Sequence, residues 1–246
     1  MLWTLFADYE VLVECLKRIA LYGGTFDPVH TGHLAVAKGL LKLFALDHVL
    51  FIPAHVAPHK REARITPALQ RYAMLVLATQ HEPQLGVSSV ELDAPERPYT
   101  VDTLARVREE LGREAQLFFI MGADSWMEIT TWREWERVLS LSSHIVVTRP
   151  GYEVSAAHVT PSIRERVIDL QGADEDRVKR EVDGSDGLKI YITDAVRMDV
   201  SATAIRKLLG EGGGEAEIAG LVPPAVAEFI RKYGLYRDKH ESELFN

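Results

Sequence analysis

The sequence predicts an α/β protein with a Rossmann-like, doubly wound parallel sheet. The main observation is that short apolar, β-branched runs alternate with longer stretches of helical period, which is typical of a parallel sheet covered by helices on both faces. The second observation is size. A chain of 246 residues, 47% of them hydrophobic, is long enough for one large α/β domain or two small ones, which excludes a disordered or collagen-like protein.

Each element is predicted from its own pattern. Apolar, β-branched runs predict strands at 19–22, 48–53, 86–92, 116–121, 144–148 and 188–193. Helical periodicity predicts helices at 34–46, 67–80, 101–111, 132–141, 201–209 and 224–233. The third helix shows the reasoning most clearly, because Val101, Leu104 and Val107 share one face and Gly112 stands where a helix often ends in the left-handed conformation.

The chain divides into three parts. Residues 1–18 form an N-terminal extension, 19–210 a single main domain, and 211–246 a connector with a C-terminal helix. Within the main domain the polar, acidic segment 151–187 breaks the alternation, and we expect one or two peripheral helices there. Residues 211–217, EGGGEAE, have the composition of a flexible connector.

Charge and cysteine content exclude several classes of protein. There are 28 Lys and Arg against 36 Asp and Glu, a formal net charge of −8, and no long basic block. We therefore expect no nucleic acid partner and no docking on an anionic membrane. Acidic residues interrupt the apolar N-terminal residues, and no uninterrupted apolar run approaches the roughly 18 residues of a membrane span. One cysteine cannot form an internal disulfide, so we predict a cytoplasmic protein.

The most informative stretch is 19–34, IALYGGTFDPVHTGHL. A buried strand leads into Gly23 and Gly24, and a turn leads from there into a helix with Thr31 near its N-cap. Paired glycines allow the backbone to approach phosphate oxygens closely, and the start of a helix offers free N–H groups. The pattern predicts phosphate binding.

His30 and His33 are three residues apart at this helix start, so they project from the same side. Two imidazoles there can donate hydrogen bonds to phosphate oxygens and stabilise developing charge. Either histidine alone is explained as well by a capping or surface role, but the whole run GGTFDPVHTGH is not. Metal binding is the weaker alternative, because no third ligand stands at a suitable spacing.

The run GGTFDPVHTGH resembles the phosphate loop of the nucleotidyltransferase superfamily with the H-x-G-H motif. Class I aminoacyl-tRNA synthetases share a related motif, but this chain is short for one and has no KMSKS-like segment. Residues 200–206, VSATAIR, resemble the S-x-T-x-x-R motif of the same superfamily. Ser201 and Thr203 can cap a helix and offer hydroxyls, and Arg206 adds a planar fork of donors. In isolation, a capped helix with a solvated arginine explains this segment equally well.

Three further matches select a branch of the superfamily: PHK at 58–60, YTVDTL at 99–104, and GADS at 122–125 followed by Trp132. Their order and spacing are similar to bacterial nicotinate mononucleotide adenylyltransferases over roughly 17–237. Members of that family commonly begin a few residues before the first strand. Leu16 is therefore either a misread initiator or part of a helix, since apolar residues recur at spacings of three and four between Leu2 and Leu16.

The resemblance implies transfer of the adenylyl group of ATP to nicotinate mononucleotide, in NAD biosynthesis. It assigns catalysis to His30, His33 and Arg206; ATP and phosphate binding to Gly23, Gly24, Thr25, Phe26, Gly122, Asp124, Ser201 and Thr203; and acceptor binding to His59, Lys60, Thr100 and Trp132. We expect Mg²⁺ to accompany ATP, held by phosphate oxygens and water, with no metal ligand from the protein. The sequence is compatible with a homo-oligomer.

Two alternatives stay open. The first is the same chemistry on another acceptor, such as nicotinamide mononucleotide or pantetheine phosphate. The second is a non-catalytic nucleotide sensor that keeps the pocket. Separately, the start of the predicted helix at Thr100 offers N–H groups to an acceptor carboxylate, although Asp102 in the same turn would oppose an anion.

Overall fold

A computed structural model describes residues 18–55, 65–94, 98–112, 114–148, 152–194 and 200–237. Within them, seven parallel strands form one sheet in the order β3-β2-β1-β4-β5-β7-β6. The strands are β1 (Arg18–Gly24), β2 (His48–Pro53), β3 (Leu85–Val87), β4 (Gln116–Gly122), β5 (Ser143–Val147), β6 (Val167–Asp169) and β7 (Ile190–Thr193). The predicted α/β class and parallel sheet are confirmed.

Helices cover both faces of the sheet. They are α1 (Thr31–Leu43), α2 (Ala68–Thr79), α3 (Thr100–Leu111), α4 (Ala123–Met127), α5 (Trp135–Leu141), α6 (Pro161–Arg164), α7 (Glu175–Asp183), α8 (Ala202–Gly210) and α9 (Pro224–Tyr233), with a 3₁₀ turn at Ile129–Thr131. None of the helices in the described part of the chain is long and apolar enough to cross a membrane.

The central strand β1 shows why the sheet is buried on both sides. Ala20 and Tyr22 point into the core shared with α1 and α9, whereas Ile19 and Leu21 point into the core shared with α3 and α5. A strand buried on both faces is a continuous apolar run, as found here. The chain adds β2 and β3 on one side of β1 and then returns to place β4 on the other. Ligands of such sheets bind at this switch point, beyond the carboxyl ends of the strands.

Strand β3 is shorter than predicted. The expected strand at 86–92 begins at Leu85 and ends at Val87. The Ser88 N–H still donates to the Phe51 carbonyl at 2.9 Å, but the Val90 N–H donates to the Ser88 hydroxyl and the Leu92 N–H to the Ser89 carbonyl. Serine thus competes for the backbone donors and turns the chain away from the sheet.

The polar segment at 151–187 is more than a pair of peripheral helices. It contributes the expected helices, α6 and α7, but also β6, which pairs with β7 and forms an edge of the sheet. A strand of three residues in a polar context is too short to show a periodicity, so the sequence pattern missed it.

Candidate active site

A cavity of about 300 Å³ lies beyond the carboxyl ends of β1, β2 and β4. Several residues expected to bind ligands line it: Gly23, Gly24, Thr25, Gly122, Thr100 and Trp132. The switch-point rule therefore places the pocket correctly. His59 and Lys60, expected near the acceptor, lie outside the described residues.

The two glycines at the end of β1 are also favoured by packing. A Cβ on Gly24 would stand 2.8 Å from Cζ of Phe26, and one on Gly23 would stand 3.1 Å from the ring of Phe119. Phe26 itself is buried, and its ring packs edge-on against that of His33 with 5.0 Å between centroids. The Phe26 side chain therefore packs against His33 inside the protein. The expectation that Phe26 binds phosphate can apply only to its backbone.

The start of α1 is capped by histidine. His30 is the N-cap residue, and its Nδ1 accepts the His33 N–H at 3.3 Å while the His33 Nδ1 accepts the His30 N–H at 3.3 Å. The cap thus lies one residue before Thr31, whose hydroxyl instead donates to the carbonyls of Gly220 and Leu221 at 3.1 Å. Capping does not exclude ligand binding here, because the cap uses only Nδ1 of each imidazole.

Capping fixes the tautomer of both imidazole rings. A neutral imidazole whose Nδ1 accepts a hydrogen bond carries its proton on Nε2. Burial lowers the pKa of His30 to about 4, and burial together with the neighbouring His30 lowers the pKa of His33 well below its usual value. Near neutral pH both side chains are therefore neutral, with an Nε2–H left to donate to a ligand.

The second motif reaches the first through Arg206. Its Nη1 donates to the Asp27 carbonyl at 2.6 Å and its Nη2 to the Thr203 hydroxyl at 3.2 Å. The two segments, 179 residues apart in sequence, therefore meet at the turn between β1 and α1. Ser201 occupies the N-cap position of α8, but its hydroxyl makes no capping hydrogen bond, contrary to expectation. Both Ser201 and Thr203 are exposed, so their hydroxyls are accessible to a ligand.

Asp27 connects the turn between β1 and α1 to other segments of the chain. The residue is only 4% exposed. Its Oδ1 accepts the Tyr236 hydroxyl at 2.7 Å and its Oδ2 accepts the Thr66 N–H at 3.2 Å. Three segments distant in sequence are thereby tied to the phosphate loop.

Arg71 is a site residue that sequence reasoning missed. Although charged, it is only 1% exposed, and it donates to four main-chain carbonyls, those of Thr25 (2.7 Å), Ala54 (2.6 Å), His55 (3.2 Å) and Thr66 (2.8 Å). It thereby fixes the phosphate loop and the residues on both sides of segment 56–64. A signal was present, because Arg71 shares the buried face of α2 with Met74 and Leu75.

Glu91, also missed, lines the same cavity. Its two oxygens accept the Thr103 hydroxyl at 3.0 Å and the His55 N–H at 3.3 Å. Burial raises its pKa to about 7, against smaller opposing effects of these two hydrogen bonds and of Arg71. It joins the end of β2 to α3, which forms one wall of the cavity.

One wall of the cavity carries aromatic residues, among them Tyr99, Phe119 and Trp132. Trp132 packs edge-on against Phe119, with 6.4 Å between ring centroids. Thr100 lies in the first turn of α3, where Asp102 accepts the Tyr99 N–H at 3.0 Å. The Arg133 guanidinium lies 4.7 Å from the centroid of the Tyr99 ring, so a cation stands at this wall. Sequence reasoning did not single out Arg133.

The residues expected near the adenosine are placed differently from one another. Gly122 ends β4 and lines the cavity, whereas Asp124 lies exposed in the first turn of α4 and is not part of the lining. Among the described residues, no three His, Cys, Asp or Glu side chains are grouped to hold a metal ion.

This arrangement matches known proteins. Residues 21–208 match the family described as cytidylyltransferase-like. A probable nicotinate-nucleotide adenylyltransferase of Moorella thermoacetica is 37% identical over 228 residues, covering 93% of this chain and 95% of that protein. One of Corynebacterium jeikeium is 37% identical over 214 residues, covering 87% and 98%.

Solved structures support the same fold. A Plasmodium falciparum nicotinic acid mononucleotide adenylyltransferase complexed with NaAD has a TM-score of 0.65 at 19% identity and covers 89% of this chain and 97% of its own. The chain therefore belongs to the cytidylyltransferase-like family. Within that class it belongs with the relatives named nicotinate-nucleotide adenylyltransferase, as the order of its motifs predicted.

Proposed function

We propose that the protein transfers the adenylyl group of ATP to nicotinate mononucleotide, giving deamido-NAD and pyrophosphate. The observation that carries the proposal is the joining of the capped histidines to Arg206 at one turn, through the Asp27 carbonyl. This turn borders a cavity large enough to hold much of a nucleotide. The names of the relatives at 37% identity support the same activity.

In this reaction the protein supplies no nucleophile. The acceptor phosphate has a second pKa near ~6, so it is already largely a dianion at neutral pH and needs no general base. The chain's own task is to align that phosphate with the α-phosphorus of ATP and to stabilise the charge that develops. We assign the Nε2–H donors of His30 and His33 to the phosphates at the reacting end.

Arg206, Ser201 and Thr203 then bind the β and γ phosphates. The guanidinium donates one hydrogen bond to the Asp27 carbonyl and another to Thr203, and it keeps further N–H donors for an anion. The hydroxyls of Ser201 and Thr203 are exposed beside it. Backbone N–H groups of Gly23, Gly24 and Thr25 border the cavity and can contact phosphate oxygens.

We propose Mg²⁺ as the companion of ATP. The donors around the described phosphate loop are N–H groups and hydroxyls, and both carboxylate oxygens of Asp27 already accept hydrogen bonds. Such a set suits a cation that is bound by phosphate oxygens and water. When bound, the ion neutralises negative charge on the phosphates.

The acceptor and the adenosine bind in the rest of the cavity, beyond the groups that bind the phosphates. We place the acceptor ring against Trp132 and its carboxylate near the N–H groups at the start of α3, beside Thr100, and we also assign acceptor binding to His59 and Lys60. Asp102 is less of an obstacle than its charge suggests, because its carboxylate is turned to the Tyr99 N–H. We place the adenosine at Gly122, with Asp124 able to reach a ribose hydroxyl. We also propose that the protein acts in the cytoplasm.

An acceptor panel tests the proposal. Purified protein, ATP and Mg²⁺ are mixed in turn with nicotinate mononucleotide, nicotinamide mononucleotide and pantetheine phosphate, and pyrophosphate release is measured. We expect the highest kcat/KM with nicotinate mononucleotide. A preference for either other acceptor would show that nicotinate mononucleotide is not the substrate. ATP binding without pyrophosphate release in the presence of any of the three acceptors would indicate a nucleotide sensor.

A further inference from the structure

Tyr236 stands at the end of the described chain and contacts a residue near its beginning. After α9 ends at Gly234, the phenol of Tyr236 donates a hydrogen bond to Asp27 Oδ1 at 2.7 Å, across 209 residues of sequence. Burial and the negative charge of Asp27 both raise the pKa of Tyr236. The phenol is therefore protonated at any working pH and acts as the donor.

The backbone of Tyr236 indicates that this contact is maintained against a local preference. Its φ is +67°, in the left-handed region that residues with a Cβ avoid. This conformation is unfavourable for a non-glycine residue and persists only where the surroundings enforce it. Such outliers often accompany functional sites, which directs attention to what Tyr236 touches.

What Tyr236 touches is the turn that carries the phosphate-binding groups. Asp27 is buried and receives three donors: the Tyr236 hydroxyl and the Thr66 N–H on its carboxylate, and Arg206 on its main-chain carbonyl. The same C-terminal part of the chain also contacts the start of α1, because the Thr31 N–H and hydroxyl donate to the Leu221 carbonyl. A shift of Asp27 would therefore move the carbonyl on which Arg206 rests.

We propose that Tyr236 is a positioning residue for the ATP-phosphate half of the active site, acting through Asp27 on Arg206. The inference rests on the proposed adenylyl transfer. It predicts an asymmetric effect, because Trp132 and Thr100, which line the cavity, share no hydrogen bond with Asp27 in the described structure. Loss of the hydroxyl should weaken ATP use and leave acceptor binding nearly unchanged.

Tyr236→Phe removes this hydroxyl and keeps the ring. We expect kcat/KM for ATP to fall about tenfold, the size typical for a hydrogen bond to a charged group, with the KM for nicotinate mononucleotide unchanged within twofold. Tyr233→Phe is the matched control, because Tyr233 lies in the same segment, is 53% exposed and packs its ring on Phe229. Equal losses for both substrates, or a Tyr236→Phe variant as active as the control, would overturn the proposal.

Two further measurements separate positioning from simple destabilisation. In an Arg206→Lys background, Tyr236→Phe should cost less than threefold, because interacting residues are not additive; full additivity would contradict the coupling through Asp27. Calorimetry should show weaker binding of a non-hydrolysable ATP analogue, whether or not the assay finds turnover. If wild type and Tyr233→Phe release no pyrophosphate, the proposed function is wrong. The calorimetric affinity for the ATP analogue then still tests whether Tyr236 positions the phosphate-binding groups. If Tyr236→Phe does not fold, Asp27→Ala, which removes the carboxylate that accepts the Tyr236 hydroxyl, should give the same ATP-selective loss.

Discussion

The imidazoles of His30 and His33 stack with 3.6 Å between ring centroids, and each Nδ1 accepts the backbone N–H of the other residue. This reciprocal cap satisfies two backbone N–H groups at the start of α1. It also holds both rings in the Nε2–H form before any substrate arrives. Helix capping therefore uses Nδ1 of each ring, whereas the catalytic role that we propose uses Nε2, which makes the two separable by substitution.

His33→Asn and His33→Gln separate the two roles. An Asn oxygen can replace Nδ1 in the cap, whereas a Gln amide can replace the Nε2–H donor. We expect His33→Asn to retain most of the stability and to lose at least ~10² in kcat, as a contact made mainly in the transition state does. His33→Gln should be the more active and the less stable. Thermal melting and steady-state kinetics check this, and the reverse order would refute the assignment.

Arg206→Lys tests the phosphate grip. A lysine point charge cannot reproduce a guanidinium that serves Asp27, Thr203 and a phosphate at once. We expect KM for ATP to rise at least about tenfold, measured against Lys207→Arg as control, because Lys207 lies on the same helix with its side chain 75% exposed. An Arg206→Lys variant with the wild-type KM for ATP would remove Arg206 from the site.

Arg71→Lys tests the buried guanidinium beneath the loop. Three ammonium donors cannot reach four carbonyls in three segments, so buried acceptors lose their partner. We expect a loss of roughly 2–4 kcal/mol in the free energy of unfolding, measured by urea denaturation, and lower activity at temperatures where the variant is folded. Arg106→Lys, which alters an exposed pair with Glu110, is expected to be neutral within about 0.5 kcal/mol. Equal stability of the two variants would show that the four contacts contribute little.

Glu91→Gln tests the buried carboxyl through pH. Burial raises its pKa from 4.5 to about 7, so between these pH values folded Glu91 holds a proton that the unfolded chain has lost. Its contribution is present below pH 4.5 and is lost as the pH rises through 7. Relative to Glu91→Gln, the wild type should therefore lose about 2–3 kcal/mol of unfolding free energy from pH 4.5 to 8. The buried histidines titrate alike in both proteins and cancel; a pH-independent difference would contradict the raised pKa.

The sequence was most informative where a pattern has local causes. The parallel sheet follows from the alternation of apolar runs with helical stretches, and the phosphate loop follows from glycines and histidines within eleven residues. Strand β6 could not be predicted, because its pairing with β7 depends on tertiary contacts and three residues show no period.

The site residues that sequence reasoning missed depend on long-range contacts. Glu91 has an ordinary local context, and the position of Arg71 on the apolar face of α2 indicates burial but not its partners. The roles of both residues follow only from carbonyls and hydroxyls supplied by other segments. The same holds for Tyr236, which contacts Asp27 only because α9 packs near the loop. The capping role of His30 was weighed against catalysis, although the geometry allows both.

The central claim is that the histidines donate hydrogen bonds and that the acceptor phosphate attacks ATP directly. The stereochemical course at the α-phosphorus tests it most directly, using ATP made chiral at that atom by sulfur substitution. A single in-line displacement predicts inversion of configuration in the dinucleotide product. Retention would require two displacements through a covalent adenylyl-enzyme, with the protein supplying the nucleophile, and would contradict the account.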